Sequence, residues 1–297
     1  MSTSATRRKR TLYVTDLDGT LLNGESRVSD RSADILNALI SRGVMFTVAT
    51  ARTPATVQPL LSRVHQSVFT DAEGAEHPLP AIVMTGAALW NRQTQIFEQC
   101  TLIPEADALR IRDIFAAHEV HPFVYCLSGN DFINVYHPAA MTRREDAFYQ
   151  ERRHLQLKRF HLDQQPSRWD SVVLSFGIGP VRAMEHLSDA LNEATPCNAA
   201  WYPDVIMPDT GLIDIYAPGV SKASAVKALA QRVGADEVVV FGDNLNDLPM
   251  MHVADVAVAV AVGNALPEVR EQADVVIGDN IADAVPSWIA ARENIIV

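Results

Sequence analysis

Short apolar runs alternate with helical stretches at both ends of this chain. The runs occupy residues 12–15, 44–50 and 81–85 near the start, and residues 237–241, 256–260 and 274–277 near the end. Helix signals separate them, among them a Ser29 or Asp30 cap, Pro54 at a helix start, and a stretch over 222–233 that stops at Gly234. Near-continuous apolar strands separated by helices are typical of a parallel sheet covered on both faces. We therefore predict an α/β fold with a doubly wound, Rossmann-like parallel sheet.

The middle of the chain has a different pattern. A helical stretch over 105–118 precedes two strand-like runs at 122–127 and 132–136, and the same order returns with a helix over 181–194 and runs at 199–202 and 212–216. Hairpins beside helices indicate a separate α+β unit inserted between the two halves of the sheet domain. We expect the first part of the core in residues 1–87, the insert in 88–217 and the second part of the core in 218–297.

Charge and cysteine content exclude several classes of protein. The net charge of −11 disfavours nucleic acid as the main partner, because such binding depends on Lys and Arg neutralising phosphates. No apolar segment follows the basic residues 1–10 as a secretory signal would require, and no run is long enough to span a membrane. The three cysteines, Cys100, Cys126 and Cys197, form neither a metal pattern nor a disulfide framework, so we expect a cytoplasmic location. The sequence makes no prediction of an oligomeric state.

Two carboxylates stand where the first apolar run ends. Asp16 and Asp18 are two residues apart, so their side chains point the same way if the backbone is extended. Two carboxylates that close repel each other unless a cation or a proton lies between them. The pair therefore suits a divalent metal together with one group that can accept a proton, although an Asp-rich turn is the ordinary alternative.

Three further segments follow apolar runs or precede helices in the same way. Thr50, Ala51 and Arg52 offer a hydroxyl and backbone N–H groups, Lys222 offers a cation, and the run from Asp243 to Asp247 offers hard oxygen ligands suited to Mg²⁺. Taken singly, a helix cap, a solvated lysine and an Asx turn are the ordinary alternatives. Because ligands collect beyond the carboxyl ends of parallel strands, we expect these segments to meet at one edge of the sheet.

In combination, these segments resemble the haloacid dehalogenase superfamily and, within it, the Cof-type phosphatases. That family has a DxDGT motif, a Ser/Thr motif, a Lys motif and a GDxxND motif. They correspond here to Asp16–Thr20, Thr50, Lys222 and the run from Gly242 to Asp247. Residues 263–265 (GNA) and 273–274 (AD) extend the match, and the insert corresponds in position to the family's large α+β cap domain.

Three positions depart from the family pattern. Ala51 and Ala223 stand where the family often has glycine, and Thr85 stands where many members have asparagine. A Cβ in place of hydrogen matters only where φ is positive or where phosphate approaches within contact distance. These departures bear on the phosphate and substrate contacts near Thr50 and Thr85.

The resemblance implies a Mg²⁺-dependent phosphatase that acts through an aspartyl-phosphate. Asp16 would be the nucleophile, and Asp18 would protonate the leaving group and then deprotonate the attacking water. Mg²⁺ would be held by Asp16, the backbone carbonyl of Asp18 and Asp243, with Asp247 supporting it directly or through water.

The resemblance also implies a set of phosphate-binding groups. Lys222 and the Thr50 hydroxyl would hold phosphate oxygens, together with backbone N–H groups near Leu17, Asp18 and Ala51. Asn246 would contact phosphate or orient Lys222. The aromatic and basic residues of the insert are candidate readers of the leaving group, with packing as the ordinary alternative; they are Phe123, Tyr125, Arg143, Arg144, Trp169 and Trp201.

The implied substrate is a small phosphorylated metabolite, such as a sugar phosphate, a nucleotide or a phosphorylated cofactor. Two alternatives stay open at this point. A phosphotransferase or mutase would use the same aspartyl-phosphate, and a non-catalytic phosphate-binding regulator would gather a similar set of acidic groups on a parallel sheet.

Overall fold

A computed structural model describes residues 9–204, 207–253 and 257–296 of the chain. The chain divides into two compact units: one comprises Met1–Thr53, Val57–Thr94 and Ser221–Val297, and the other comprises Pro54–Thr56 and Gln95–Val220. The predicted domain boundaries at 87/88 and 217/218 stay predictions. Residues 1–8 of the basic N-terminal segment and Val256 of a predicted strand lie outside the described residues.

The secondary structure follows the alternation seen in the sequence. The strands are β1 (Thr11–Thr15), β2 (Met45–Val48), β3 (Val68–Thr70), β4 (Glu76–Pro78), β5 (Ala81–Val83), β6 (Ala88–Asn91), β7 (Ile96–Cys100), β8 (Phe123–Ser128), β9 (Phe132–His137), β10 (Lys158–Leu162), β11 (Val172–Pro180), β12 (Asn198–Pro203), β13 (Thr210–Tyr216), β14 (Glu237–Gly242), β15 (Ala257–Ala261) and β16 (Val275–Val276). The helices are α1 (Asp30–Ile40), α2 (Pro54–Leu60), α3 (Glu105–Ala117), α4 (Arg143–Arg152), α5 (Val181–Ala194), α6 (Lys222–Val233), α7 (Leu248–Met251), α8 (Pro267–Gln272) and α9 (Ala284–Arg292).

The first unit is built on a parallel sheet with the strand order β16-β15-β14-β1-β2. Strand β1 is central: Leu12 pairs with Val238 of β14 on one side and with Met45 of β2 on the other. The side chains of β1 and β14 are buried along almost their whole length, as expected when helices cover both faces. A further bridge joins Ala49, just beyond β2, to Ile82 of β5. The predicted α/β fold with a parallel-sheet core is confirmed.

Local signals place the helices of this unit. The side chain of Ser29 caps α1 by accepting a hydrogen bond from the Ser32 amide. The predicted helix over 222–233 is α6, which begins after the capping residue Ser221 and ends at Gly234, where φ is +60°. Helix α9 is also present in the structure, although the sequence analysis made no prediction there.

The second unit contains a six-stranded sheet with the order β10-β9-β8-β11-β13-β12. Neighbouring strands are antiparallel except β10, which runs parallel to β9. Strands β10 and β11 and helix α4 were not predicted. The KRFHL sequence of β10 has no clear apolar run, and α4 is polar along most of its length, so neither gives the periodic signal on which prediction depends.

Within the part of the chain that the structure describes, none of the helices combines the length and the apolar composition that crossing a membrane would require.

Candidate active site

The carboxyl edge of the parallel sheet brings the predicted segments together. Asp16 follows β1 directly, and its amide donates to the Phe241 carbonyl of β14 at 3.0 Å. Asp243 follows β14, and Lys222 is the first residue of α6. Asp16, Asp243 and Asp247 each offer a carboxylate oxygen, and these oxygens lie within 4.8 Å of one another. Residues more than 200 positions apart in sequence therefore share one small volume.

A buried lysine lies between two of these carboxylates. The Nζ of Lys222 donates to Oδ1 of Asp16 and to Oδ1 of Asp247, both at 2.7 Å. All three side chains are buried, and Lys222 is only 2% exposed. Burial by itself would lower the pKa of Lys222, but the charges and hydrogen bonds of Asp16 and Asp247 outweigh it and raise that pKa. Lys222 is therefore a fixed cation.

Asp247 organises the loop that follows β14. Its Oδ2 accepts hydrogen bonds from the amides of Asp243 and Asn244, at 3.0 and 3.2 Å, while its Oδ1 accepts from Lys222. Asn246, the alternative candidate for orienting Lys222, is exposed, and among the described residues the lysine nitrogen donates to Asp16 and Asp247. In the described chain, Asp247 is therefore the residue that both shapes the acidic loop and holds the lysine.

The acidic group is suited to a divalent cation. Three carboxylates face a single ammonium group, so the charge of the group is negative. Burial, together with the neighbouring carboxylates of Asp247 and Asp243, raises the pKa of Asp16 to about 7 against the opposing charge of Lys222. Burial likewise raises the pKa of Asp243 to about 6. Because a hard cation would relieve this repulsion and prefers carboxylate oxygens, these residues fit Mg²⁺.

The turn after β1 holds Asp243 in place. Thr20 donates its hydroxyl to Oδ1 of Asp243 at 2.7 Å. Gly19 has a φ of +74°, and a Cβ at this position would overlap the Asp243 carboxylate. The glycine of the DxDGT motif is thus required twice, for its backbone conformation and for the close approach of the carboxylate.

Asp18 points to a different partner. Its carboxylate forms a two-point ion pair with Arg52, in which Nε donates to Oδ2 at 2.7 Å and Nη2 donates to Oδ1 at 2.5 Å. The Asp18 side chain is 52% exposed, and it is not a member of the acidic group formed by Asp16, Asp243 and Asp247. The sequence pattern predicted a contribution from the Arg52 backbone N–H group, but none from its side chain.

The segment after β2 is fixed by its backbone. Thr50 is buried, its amide donates to the Ile82 carbonyl, and its own carbonyl accepts from the Thr85 amide, both at 3.0 Å. Its hydroxyl oxygen accepts a hydrogen bond from the Arg52 amide at 3.1 Å. Ala51 is exposed. Thr50 thus helps to position the arginine that holds Asp18.

Leu17 and Asn264 complete the turn after β1. Leu17 is fully buried, and its carbonyl accepts from the Leu22 amide at 2.8 Å. Asn264 donates its side-chain amide to the Gly19 carbonyl at 2.7 Å and accepts from the Asn280 amide at 2.9 Å. Asn264 lies in the GNA segment that carried part of the resemblance, but no contact of its side chain was predicted.

The three departures from the family pattern differ in their structural effect. Thr85 has a φ of +56°, in the left-handed region that favours asparagine over a β-branched residue. Gly86, with a φ of +96°, allows the Ser221 carbonyl at the start of α6 to approach so closely that a Cβ would overlap it. Ala51 and Ala223 are not among the described residues with positive φ, so the backbone does not require glycine at either position.

Comparison with known proteins agrees with this geometry. The family model for haloacid dehalogenase-like hydrolases matches residues 13–289. The chain belongs to this family. The predicted family and the predicted enzyme class, a haloacid dehalogenase-type phosphatase, are therefore confirmed. The roles of the individual site residues stay predictions.

Two curated relatives align along nearly the whole chain. The chain is 24% identical over 283 residues to pyridoxal phosphate phosphatase YbhA of Escherichia coli, with 92% of this chain and 95% of that protein covered. It is also 24% identical over 285 residues to 5-amino-6-(5-phospho-D-ribitylamino)uracil phosphatase YcsE of Bacillus subtilis, with 94% and 95% covered.

A solved structure shares the fold. A haloacid dehalogenase-like hydrolase from Bacteroides thetaiotaomicron superimposes with a TM-score of 0.73, at 18% identity, over 96% of this chain and 100% of that one. This likeness concerns the fold alone.

Proposed function

We propose that this haloacid dehalogenase-like hydrolase is a Mg²⁺-dependent phosphatase that hydrolyses a small phosphorylated metabolite through an aspartyl-phosphate on Asp16. The observation that carries the proposal is the buried Lys222, which contacts Asp16 and Asp247 at 2.7 Å beside Asp243. A lysine and three carboxylates at the carboxyl edge of a parallel sheet suit the transfer of an anionic group to a carboxylate.

The contacts of Asp16 support a proposal for its reactive oxygen. Lys222 occupies Oδ1 of Asp16, which leaves Oδ2 to attack phosphorus. A bond forms between Oδ2 and phosphorus while the bond from phosphorus to the ester oxygen breaks, and the departing oxygen takes a proton to become an alcohol. Water then attacks the aspartyl-phosphate, which restores the Asp16 carboxylate and releases inorganic phosphate.

Asp18 is the proposed proton carrier in both steps. It gives its proton to the departing oxygen and then removes one from the attacking water. This role requires the Asp18 carboxylate to leave its two-point contact with Arg52. The freed guanidinium then has a planar donor pair for phosphate oxygens.

Asp16, Asp243 and Asp247, with the backbone carbonyl of Asp18, are the proposed ligands of Mg²⁺. When bound, Mg²⁺ lets an anionic nucleophile approach an anionic phosphate and stabilises charge in the transition state. The closeness of Gly19 to Asp243 and the Thr20 hydrogen bond keep the Asp243 carboxylate at this position.

The relatives suggest the class of substrate. Both named relatives are phosphatases of small phosphorylated metabolites, one of pyridoxal phosphate and one of a phosphoribitylamino-uracil. We propose a substrate of the same general size, carrying one phosphate monoester. The free thiols Cys100, Cys126 and Cys197 support the proposed cytoplasmic location.

The decisive experiment measures phosphate release from p-nitrophenyl phosphate in the presence of Mg²⁺. We expect turnover by the native protein and a loss of at least about a thousandfold in Asp16→Asn, because the nucleophile is removed. Asp34→Asn, an exposed position on α1, is the matched control and is expected to keep its activity. An Asp16→Asn variant that stays active would refute the nucleophile, and transfer of phosphate to a sugar hydroxyl in preference to water would identify a phosphotransferase.

A further inference from the structure

One face of the sheet in the second unit carries a group of aromatic side chains. Val135 pairs with Tyr125 on one side and with Phe160 on the other, and Leu174 pairs with Tyr125. Because paired residues share a face and side chains alternate along a strand, Lys158, two positions before Phe160, lies on this face too. We call it the aromatic face. Helix α4 packs against part of it, with Tyr149 5.2 Å from Phe160.

Lys158 is buried on the aromatic face without an acidic partner. Its side chain is flanked by the rings of Phe160 and Tyr125, whose centroids lie 5.3 and 5.9 Å from Nζ. The residue is only 6% exposed, and no carboxylate in the described part of the chain forms an ion pair with it. Burial, together with the charge of Arg152, lowers the pKa of Lys158 to about 7.

The polar tips of Lys158 and Tyr125 are not sealed inside the unit. Among the described residues, neither Nζ of Lys158 nor the Tyr125 hydroxyl has a hydrogen-bond partner. Unlike Nε1 of Trp90, which is fully enclosed and also unpartnered, these two atoms are not fully enclosed. Both side chains are more than nine-tenths buried, yet both tips reach solvent. The Lys158 ammonium group and the Tyr125 hydroxyl thus lie at the ends of buried side chains and lack protein partners in the described chain.

A second cation lies near Lys158. Arg152, in the last turn of α4, lies over the Phe148 ring at 4.1 Å and contributes to the lowered pKa of Lys158, while its Nη1 donates to Oε2 of Glu151 at 2.5 Å. The acid of the aromatic face, Asp214, accepts a hydrogen bond from Tyr202 at 3.0 Å and has no ion pair with the lysine in the described chain. Its own burial raises the pKa of Asp214 to about 6. Nothing described on this face neutralises Lys158.

We propose that Lys158, Tyr125 and Arg152 form a binding site for a carboxylate or phosphate group of a small metabolite. An anion here would replace the hydration that Lys158 has lost and would accept a hydrogen bond from the Tyr125 hydroxyl. Phe160 supplies an apolar wall for the body of the ligand. A buried lysine without a partner costs stability, so its presence is better explained by binding than by packing.

The ligand is an acidic metabolite that binds within the second unit, whether or not it also carries a phosphate. The inference therefore predicts binding of a phosphate-free anion.

The test uses three variants. Lys158→Met removes the charge of the proposed site, and Lys158→Arg keeps it and should retain most of the affinity for an anion. Lys227→Met, at an exposed position on α6, removes the same charge elsewhere and is the control.

The readout is binding of succinate, a phosphate-free dicarboxylate, measured by calorimetry. The inference is supported if succinate binds the native protein and Lys227→Met, binds at least tenfold more weakly to Lys158→Met, and does not compete with p-nitrophenyl phosphate. It is overturned if succinate does not bind the native protein, binds a folded Lys158→Met variant equally well, or competes with p-nitrophenyl phosphate. Failure to hydrolyse p-nitrophenyl phosphate would instead refute the proposed function, and succinate binding alone would then decide the inference.

Discussion

The two units each bury a lysine, and the two lysines are in opposite electrostatic states. Lys222 in the first unit is 2% exposed and lies between Asp16 and Asp247, each 2.7 Å away. Lys158 in the second unit is 6% exposed and lies among aromatic rings beside Arg152. The pKa of Lys222 is raised, whereas that of Lys158 is lowered to about 7. Burial is similar in both, so the partners decide the charge.

This difference separates two uses of the same residue type. A buried lysine with two carboxylates is a permanent cation that holds the acidic residues in position. A buried lysine without carboxylates lacks hydrogen-bond acceptors for its ammonium group, and an anionic ligand can supply them. Lys222, the first case, is part of the proposed catalytic site, whereas Lys158, the second, is part of the proposed anion-binding site.

The largest expected effect is the contrast between removing one lysine and removing the other. Lys222→Met leaves Asp16 and Asp247 buried without their cation and should lower the free energy of unfolding by roughly 3–5 kcal/mol. Lys158→Met removes a buried charge without breaking an ion pair and should raise the free energy of unfolding by roughly 1–3 kcal/mol. Urea unfolding at neutral pH without Mg²⁺ measures both, and changes of the same sign in the two variants would contradict the comparison.

A pair of glycine substitutions tests how tightly the first unit holds its acidic group. Gly19→Ala should displace the Asp243 carboxylate and weaken Mg²⁺ binding about 10- to 100-fold. Gly43→Ala is the matched control, because Gly43 also has positive φ, +81°, but a Cβ there meets nothing within 4 Å. Both variants should lose some stability from backbone strain.

The readout for these variants is the rise in melting temperature that Mg²⁺ produces. We expect this rise in the native protein and in Gly43→Ala, and its loss at the same Mg²⁺ concentration in Gly19→Ala. An equal rise in all three proteins would show that Asp243 does not hold the ion.

The pH dependence of stability should reveal the lowered pKa of Lys158, the lysine of the aromatic face. The folded pKa of Lys158 is about 7, whereas an unfolded lysine titrates near ~10.4. Between these values the unfolded chain binds more protons, so the contribution of Lys158 to stability becomes less unfavourable as pH rises. The stability advantage of Lys158→Met over the native protein should therefore be largest near pH ~7 and shrink toward pH ~10.

Two other titratable groups of the aromatic face keep their charge states over most of that range. Burial raises the pKa of Tyr125, and Asp214, whose pKa is about 6, is ionised. Chemical unfolding of both proteins at pH values near 7 and 9.5 measures the change. A constant difference would mean that Lys158 is charged in the folded protein throughout.

The smallest expected effect concerns the strained residue beside the first site. Thr85 has a φ of +56°, which a β-branched residue tolerates poorly and asparagine tolerates well. Thr85→Asn should raise the free energy of unfolding by about 0.5–1 kcal/mol. Thr101→Asn is the control, because Thr101 is exposed and its φ is not positive. This variant should be neutral in thermal denaturation. A destabilised Thr85→Asn variant would show that the threonine side chain is needed there.

Strong local signals in the sequence predicted much of the first unit. The apolar runs that became β1, β2, β5 and β14 and the capped, glycine-terminated stretch that became α6 are local patterns. Strand β10 and helix α4 were missed because tertiary contacts, such as that between Tyr149 and Phe160, stabilise them more than their own periodicity does.

The candidate site shows the same division. The motifs placed Asp16, Lys222, Asp243 and Asp247 at strand ends and helix starts, and the structure brings them within hydrogen-bonding or metal-binding distance. The ion pair between Asp18 and Arg52 was not predicted, because nothing local connects residues 34 positions apart. The contact of Asn264 with Gly19 was missed for the same reason.

Local sequence was enough to predict the residue types at the carboxyl edge of the sheet and the order of the strands and helices that carry them. Those features depend on local propensity and on the geometry of parallel strands, which short patterns encode. Which charges meet depends instead on the folded chain, because the partner of a buried side chain comes from a distant part of the sequence. Among the described residues, two carboxylates neutralise Lys222 and none neutralises Lys158, and the residues next to each lysine in sequence do not reveal this difference.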